Sequence, residues 1–178
     1  MNATTLWPEW CRAFSHLGKT TENRPKPPPR SLQHTETGPG PWIAMHAGKH
    51  IGGRPNNDGA LGTVIQVAGY AGWKATVVPG LRKDLDTVHL AKEGWPSVLM
   101  HPSLVATSAI VGVFRITGVT PPGESTNPWK FSGSYGIEVE FMALELPIFN
   151  VRGKQGWWTL DPVVERTLRA RRLLTVQR

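Results

Sequence analysis

The stretch YGIEVEF, residues 135–141, decides the fold class. Tyr135, Ile137, Val139 and Phe141 alternate strictly with Gly136, Glu138 and Glu140. A period of two puts the apolar set on one face and the glutamates on the other, the pattern of a strand with one wet face. Upstream, AIVGVFRITGV at 109–119 is rich in β-branched residues and has strand length. The loop TPPGESTNPWKFSG, residues 120–133, joins the two. Further short strands are expected at Trp42–His46, half-buried and halted at Gly48, at Leu144–Asn150, and at Trp157–Leu160.

Helical spacing occurs around these strands. Trp7, Trp10, Phe14 and Leu17 recur at that spacing, with Pro8 where a first turn tolerates proline and Gly18 as the stop. Asn57 or Asp58 can cap a helix whose stripe is Leu61, Val64, Ile65 and Ala68. Residues 80–95 predict another helix. Asp161 and Pro162 open a last one, VVERTLRARRLL, whose basic C-terminal half suits the helix dipole. Prolines extend residues 21–30, and residues 31–40 form an exposed loop. No internal repeat is present. The expectation is an α+β fold: a small, strongly bent β-sheet or barrel with helices around it.

Composition agrees. The 178 residues are one domain's length. Gly 19 and Pro 16 exceed the usual share, which predicts many turns and excludes a helix bundle. The single cysteine, Cys11, excludes an internal disulfide and sits in the apolar pattern of the first helix as a small hydrophobe. Apolar runs are too short for a membrane helix, and the first residues lack the pattern of a secretory signal. The expectation is a soluble protein of a reducing compartment, most simply the cytoplasm, without a membrane partner.

The net charge is +7 and unevenly spread. Residues 1–30 carry +3, residues 31–149 carry −1, and residues 150–178 carry +5. Ends that meet in space would give one positive face suited to phosphate. A solvated basic tail is the plainer alternative.

Most catalytic signatures are absent: no phosphate loop, no dinucleotide glycine fingerprint, no nucleophile elbow. His46 and His50 stand four apart around Gly48 without an acidic partner, so no metal and no cofactor are expected. What remains are polar groups at strand ends. Gly18-Lys19-Thr20-Thr21-Glu22-Asn23-Arg24 leaves a glycine turn and alternates side chains along an extended segment. His46-Ala47-Gly48-Lys49 ends a strand in a glycine turn with a cation. Arg152-Gly153-Lys154-Gln155-Gly156-Trp157-Trp158 sets two cations, an amide and two indoles beside glycines. Cations for phosphate, an amide for a base edge and indoles for stacking are what a nucleotide site needs.

Taken in order, WPEWCRAFSHLGKTTENR (7–24), PWIAMHAGK (41–49), AIVGVFRITGV (109–119), WKFSGSYGIEVEFMALELP (129–147) and VRGKQGWW (151–158) resemble the ASCH domain. That family (activating signal cointegrator homology) is a branch of the PUA-like β-barrels. The matched pieces run from about Trp7 to Leu160, which implies one domain over residues 1–160 with an enlarged insertion at about 51–107 and leaves 161–178 as a basic C-terminal helix or tail. It implies a five- or six-stranded barrel with flanking helices and a cleft for RNA, DNA or a modified nucleobase. It brings Lys19, Glu22, Arg24, Lys49, Arg152, Lys154 and Gln155 to one site. Trp42, His46, Tyr135 and Trp157 complete the expected binding set, with Trp42 or Trp157 as the stacking ring.

Some small ASCH proteins are similar to amidohydrolases that deacylate N-acetylated cytidine with a lysine, a threonine and a glutamate; others have been described as ribonucleases. Lys19 falls on that lysine, and Glu22 stands at the threonine position. The strand expected to bring the glutamate, AIVGVFRITGV, holds no carboxylate, which leaves Glu138 or Glu140 as substitutes. Binding is therefore the favoured reading, with a hydrolase using Lys19 and Glu22 as the alternative.

Overall fold

A computed structural model describes residues 1–34, 38–49, 59–78, 87–100 and 106–175. The elements run β1 (Asn2–Leu6), α1 (Pro8–His16), β2 (Thr21–Arg24), a 3-10 turn (Arg30–Leu32), β3 (Ile43–Ala47), α2 (Gly59–Tyr70), β4 (Lys74–Val78) and β5 (Thr87–Ala91). They continue with β6 (Val98–Met100), β7 (Ala109–Thr120), β8 (Tyr135–Ile148), β9 (Trp157–Thr159), α3 (Pro162–Arg169) and β10 (Leu173–Thr175). The fold is mixed α and β: a curled half-barrel sheet with three helices among the described residues.

The alternating stretch is the first half of β8, the longest strand, and β7 pairs antiparallel along it. The main sheet runs β10-β8-β7-β3-β1-β9, with β2 also on β8. β2 takes Tyr135–Glu138 of β8 and β10 takes Met142–Leu144, so two short strands share one edge of the long one. The register slips twice between β7 and β8 and once between β3 and β7. Such bulges sharpen the right-handed twist, which curls the sheet. Its concave side holds Phe14, Ile43, Met45, Phe114, Ile116, Ile137, Val139 and Phe141. Its convex side packs Ala3, Ala44, Val113, Leu144 and Trp158 against Leu168 of α3. A separate three-stranded sheet, β4-β5-β6, packs with α1 and α2 around Trp73, Leu90 and Met100.

Helix α1 joins the two cores. Cys11 and Phe14 face the barrel, and Ala13 and Leu17 face the second cluster. Gly18 stops it with φ +68°, a conformation only glycine takes freely, and a Cβ there would meet Trp95 at 2.9 Å. The expected cap of α3 is present: Asp161 Oδ1 accepts from the Val163 N–H at 2.8 Å. In α2, Val64 and Ala68 are buried and Ile65 packs at the cluster's edge, while Asn57, Asp58 and the Leu61 side chain lie outside the described residues.

Four expectations need correction. Residues 87–95 are not helical: Val88 and Leu90 alternate inward as β5 between β4 and β6, a period of two that overrides the helical reading, and 80–86 lie outside the described residues. β3 is buried on both faces rather than half-buried, because helices or loops cover both sides of the sheet. The last helix ends at Arg169, and Leu173–Thr175 form β10 on the β8 edge. The separate strand at 144–150 is the continuation of β8 to Ile148. The sequence reading also passed over β1, whose NATTL lies parallel to β3 and antiparallel to β9. Among the described residues no helix is long and apolar enough to cross a membrane.

The chain ends do meet: the Met1 ammonium pairs with Glu165, and the Leu160 N–H donates to the Met1 carbonyl at 2.9 Å. The N-terminal cations nevertheless do not form a common face. Lys19 is buried, Arg24 bonds inward to β1, and Arg12 donates twice to the Leu99 carbonyl at the second cluster. Truncation at residue 160 should therefore act on folding before charge. It uncovers the β8 edge and the convex apolar face, so the melting temperature should fall and self-association should appear by size-exclusion chromatography. Replacing the exposed Arg166, Arg171 and Arg172 by glutamine should leave the unfolding free energy within about 0.5 kcal/mol of wild type and the elution position unchanged, as expected for surface changes.

Candidate functional site

The extended segment after Gly18 delivers the first polar groups. The Lys19 N–H donates to the Ala13 carbonyl at 3.2 Å, which turns the side chain back under α1. Its ammonium donates to the Thr21 carbonyl and lies 5.0 Å from the Trp10 ring centroid, 4.7 Å from Phe14 and 5.9 Å from Trp129. Only 1% of the side chain is exposed. Burial among these rings pushes the Lys19 pKa down to about 8, against the opposing pull of Glu22, with Arg24 adding to the depression. Glu22 Oε2 is 3.9 Å from the ammonium, the nearest negative charge to it on the segment.

Strand alternation then places Glu22 and Arg24 on the concave side, opposite Ile137 and Tyr135 of β8. Glu22 Oε1 lies 3.2 Å from Arg24 Nε, but off the N–H direction, so that buried nitrogen is left without a hydrogen bond. Arg24 Nη2 donates to Thr4 Oγ1 at 2.9 Å and more weakly to the Thr5 carbonyl at 3.4 Å. Its guanidinium carbon stands 5.8 Å from the Trp157 ring centroid. β2 and β1 share no backbone pairing, so Arg24 crosses the open seam of the half-barrel. Trp157 is half-buried against Phe114, ring centroids 6.3 Å apart, and Thr4 Oγ1 donates to the Gly156 carbonyl at 3.0 Å. Arg24 thus links Glu22 on β2, Thr4 on β1 and the ring of Trp157, and Thr4 ties the Gly156 end of the 152–156 loop to the same place. Glu22 and Arg24 are partly exposed there, and Arg152, Lys154 and Gln155 are exposed.

The other expected residues fall elsewhere. Lys49 is exposed past the end of β3. Its neighbour Gly48 accepts from the Ser108 N–H, and the Ser108 carbonyl accepts from the Val151 N–H, which brings Lys49 to the same end of the sheet as Arg152. Trp42 sits half-buried on the convex side, 5.1 Å from the Arg115 guanidinium, which is itself paired with Glu140 at 2.6 Å. Trp42 and Trp157 therefore occupy opposite faces of the sheet. Glu138 is exposed and accepts from Thr120, so neither β8 glutamate approaches Lys19. Cys11 is buried with its thiol 3.9 Å from the His46 carbonyl, and burial raises its pKa well above normal, which keeps it protonated. His50 lies outside the described residues, among which no cluster of three metal-ligating side chains occurs.

His46 is buried on the convex side with both ring nitrogens engaged. Its Nε2 lies 2.9 Å from the Val151 carbonyl and its Nδ1 lies 3.2 Å from Thr5 Oγ1. The carbonyl can only accept, so Nε2 carries the proton and Nδ1 accepts from the threonine hydroxyl. That hydroxyl in turn accepts from the Trp158 indole N–H at 3.2 Å. The sequence reading missed Thr4, Thr5 and Trp129, and it noted Trp158 beside Trp157 without separating the faces they occupy. Parity carried the missing signal: alternation across Thr4-Thr5 and Trp157-Trp158 sends one of each pair to the seam and one to the His46 network.

No protein-family model matches the chain, and no curated protein is significantly similar to it.

Lys19 supplies a direct test of this geometry. Its folded pKa is depressed, so between pH 8 and 10.5 the unfolded chain binds more protons and stability rises with pH. Relative to Lys19→Met, which fills a similar volume without charge, wild type should gain stability over that interval, on the order of 3 kcal/mol in full. Urea unfolding of both proteins from pH 7 to pH 10 measures it; parallel profiles would remove the buried-ammonium assignment.

Proposed function

We propose that the chain is a binding protein for nucleic acid or a modified nucleobase, of the ASCH type within the PUA-like barrels, acting in the cytoplasm. One observation carries the reading: the Arg24 guanidinium spans the seam beside the half-buried face of Trp157, next to a loop with two exposed cations and an amide. A planar ring for stacking, cations for phosphate and an amide for a base edge are the groups that such a ligand requires. The order of the sequence motifs supports the same reading.

A hydrolase is the second reading, favoured by Lys19 alone. A lysine with a pKa near 8 supplies an appreciable fraction of neutral amine near neutral pH, the form that can act as a general base. Against it stand the near-complete burial of that side chain and the engagement of Glu138 with Thr120 and of Glu140 with Arg115.

Fluorescence anisotropy with short single-stranded RNA and DNA tests the binding reading. Affinity should fall steeply with salt, and the double substitution Arg152→Ala and Lys154→Ala should reduce the log–log slope by about 1.5, two phosphate contacts' worth. Trp157→Ala should cost about 1–3 kcal/mol of affinity, whereas Trp42→Ala on the other face should leave affinity unchanged. Absence of binding at low salt would overturn the reading. Release of acetate from N-acetylcytidine by wild type, lost in Lys19→Arg, would replace it with the second one, since arginine cannot act as a base.

A further inference from the structure

The loop from Asn150 to Gly156 is held at few points. Its two ends take positive φ, Asn150 at 60° and Gly156 at 74°. The Val151 N–H donates to the Ser108 carbonyl, and the Gly156 carbonyl accepts from Thr4. Among the described residues the loop is also anchored by the Val151 side chain, buried in the convex core, and by His46, whose Nε2 donates to the Val151 carbonyl. Gly153 lies flat on the same imidazole: a Cβ at that position would run into the ring and the Thr5 hydroxyl. The ring is fixed in turn by Thr5 and by the edge-on Trp158, centroid to centroid 5.8 Å. Three exposed polar residues, Arg152, Lys154 and Gln155, ride on this loop.

We propose that His46 is the positioning residue of the 150–156 loop, and that protonation of its imidazole releases the loop from the sheet. Neutral His46 satisfies two partners of opposite kind: it donates to Val151 and accepts from Thr5. A second proton turns Nδ1 into a donor, so the Thr5 hydroxyl must accept from both the imidazole and the Trp158 indole while its own proton loses its acceptor, and it adds charge to a buried ring. Moving the loop outward is the route by which water reaches that charge. Burial holds the His46 pKa below its ordinary value, against the Val151 carbonyl, so the release falls on the acid side of neutrality.

The titratable and charged groups around it do not alter this direction. On α1, Cys11 meets the His46 carbonyl rather than the ring and stays protonated. On the loop, Arg152 and Lys154 are exposed, and beyond β3 so is Lys49; all three are cations, which oppose a further positive charge. β1 and β9 present Thr5 and Trp158 to the ring, neither of which titrates.

The positioning role stands on this geometry alone. Its effect on ligand binding rests on the function proposed above, and two measurements separate them. The first needs no ligand. Amide exchange and nuclear magnetic resonance of wild type from pH 7.5 to 4.5 should show the Val151 amide losing at least tenfold in protection, together with a shift of the Trp158 indole resonance. Both should follow the titration of the His46 ring carbons, while the central β7 amides of Val113 and Ile116 stay protected. His46→Gln keeps a donor for Val151 but cannot titrate, so the acid transition should vanish with the loop still protected. Gly153→Ala should open the loop already at pH 7.5. A wild-type loop that ignores the His46 titration, or an equal acid transition in His46→Gln, overturns the proposal. The second measurement is RNA affinity over the same pH range. A parallel loss in wild type but not in His46→Gln supports both readings. Loop release without any change in affinity supports the positioning role and counts against the nucleic-acid site.

Discussion

The half-barrel has a seam that its backbone does not close, and the fold depends on how Arg24 crosses it. β2 and β10 share one edge of β8, and β9 ends the sheet at the other side. Arg24 reaches over the gap to a side-chain hydroxyl and a main-chain carbonyl of β1. A guanidinium suits this task because it is planar, always charged and carries several donors in a fixed fork. Its charge needs a partner in a region of low dielectric, and Glu22 is that partner. Glu22 is also the anion nearest the Lys19 ammonium, so one carboxylate serves two cations. The depressed Lys19 pKa follows: desolvation is in full, while compensation is shared.

Parity along three strands then distributes the remaining chemistry. Thr4 and Trp157 face the seam, while Thr5 and Trp158 face the convex side. β3 obeys the same rule, with Ile43, Met45 and Ala47 in the concave core and Ala44 and His46 behind it. The loop between β8 and β9 touches both systems. Its Gly156 carbonyl is held from the seam by Thr4, and its Val151 carbonyl is held from behind by His46. A residue on the buried side of the sheet therefore governs a loop on the exposed side without meeting any ligand.

Much of this was legible where the local pattern was strong. The alternation of 135–141, the β-branched run of 109–119, the first helix with its glycine stop and the Asp161-Pro162 cap all stand where the residues put them. Elements stabilised mainly by pairing were not legible. β1 is five residues of ordinary polarity, made a strand by β3 and β9 on either side. β10 reads as more helix until the β8 edge supplies its hydrogen bonds. Lys19, Glu22, Arg24 and Trp157 were picked out by residue type beside glycine, and they do converge. His46 and Trp42 carried the same chemical signal, but both lie on the convex side of the sheet, away from Arg24 and Trp157. Residue type says what a group can do; the strand face it occupies says whether a ligand can reach it.

Net charge shows the same limit from another side. The surplus in residues 1–30 is spent internally by Lys19, Arg24 and Arg12, which leaves Lys26 and Arg30 as the exposed cations of that segment. The surplus after residue 150 divides between the loop at the seam and the end of α3 on the convex side. Arg169 is committed to Glu165, which also holds the Met1 ammonium. On the proposed reading a phosphate at the seam would meet Arg152 and Lys154 of the neighbouring loop, whereas Arg166, Arg171 and Arg172 would act on it only at a distance. At physiological ionic strength fields are screened over about 8 Å. On the proposed nucleic-acid reading, cations on the far face would contribute to encounter with a polyanion more than to the contact itself, and specificity would fall to Trp157, Gln155 and the Glu22–Arg24 pair.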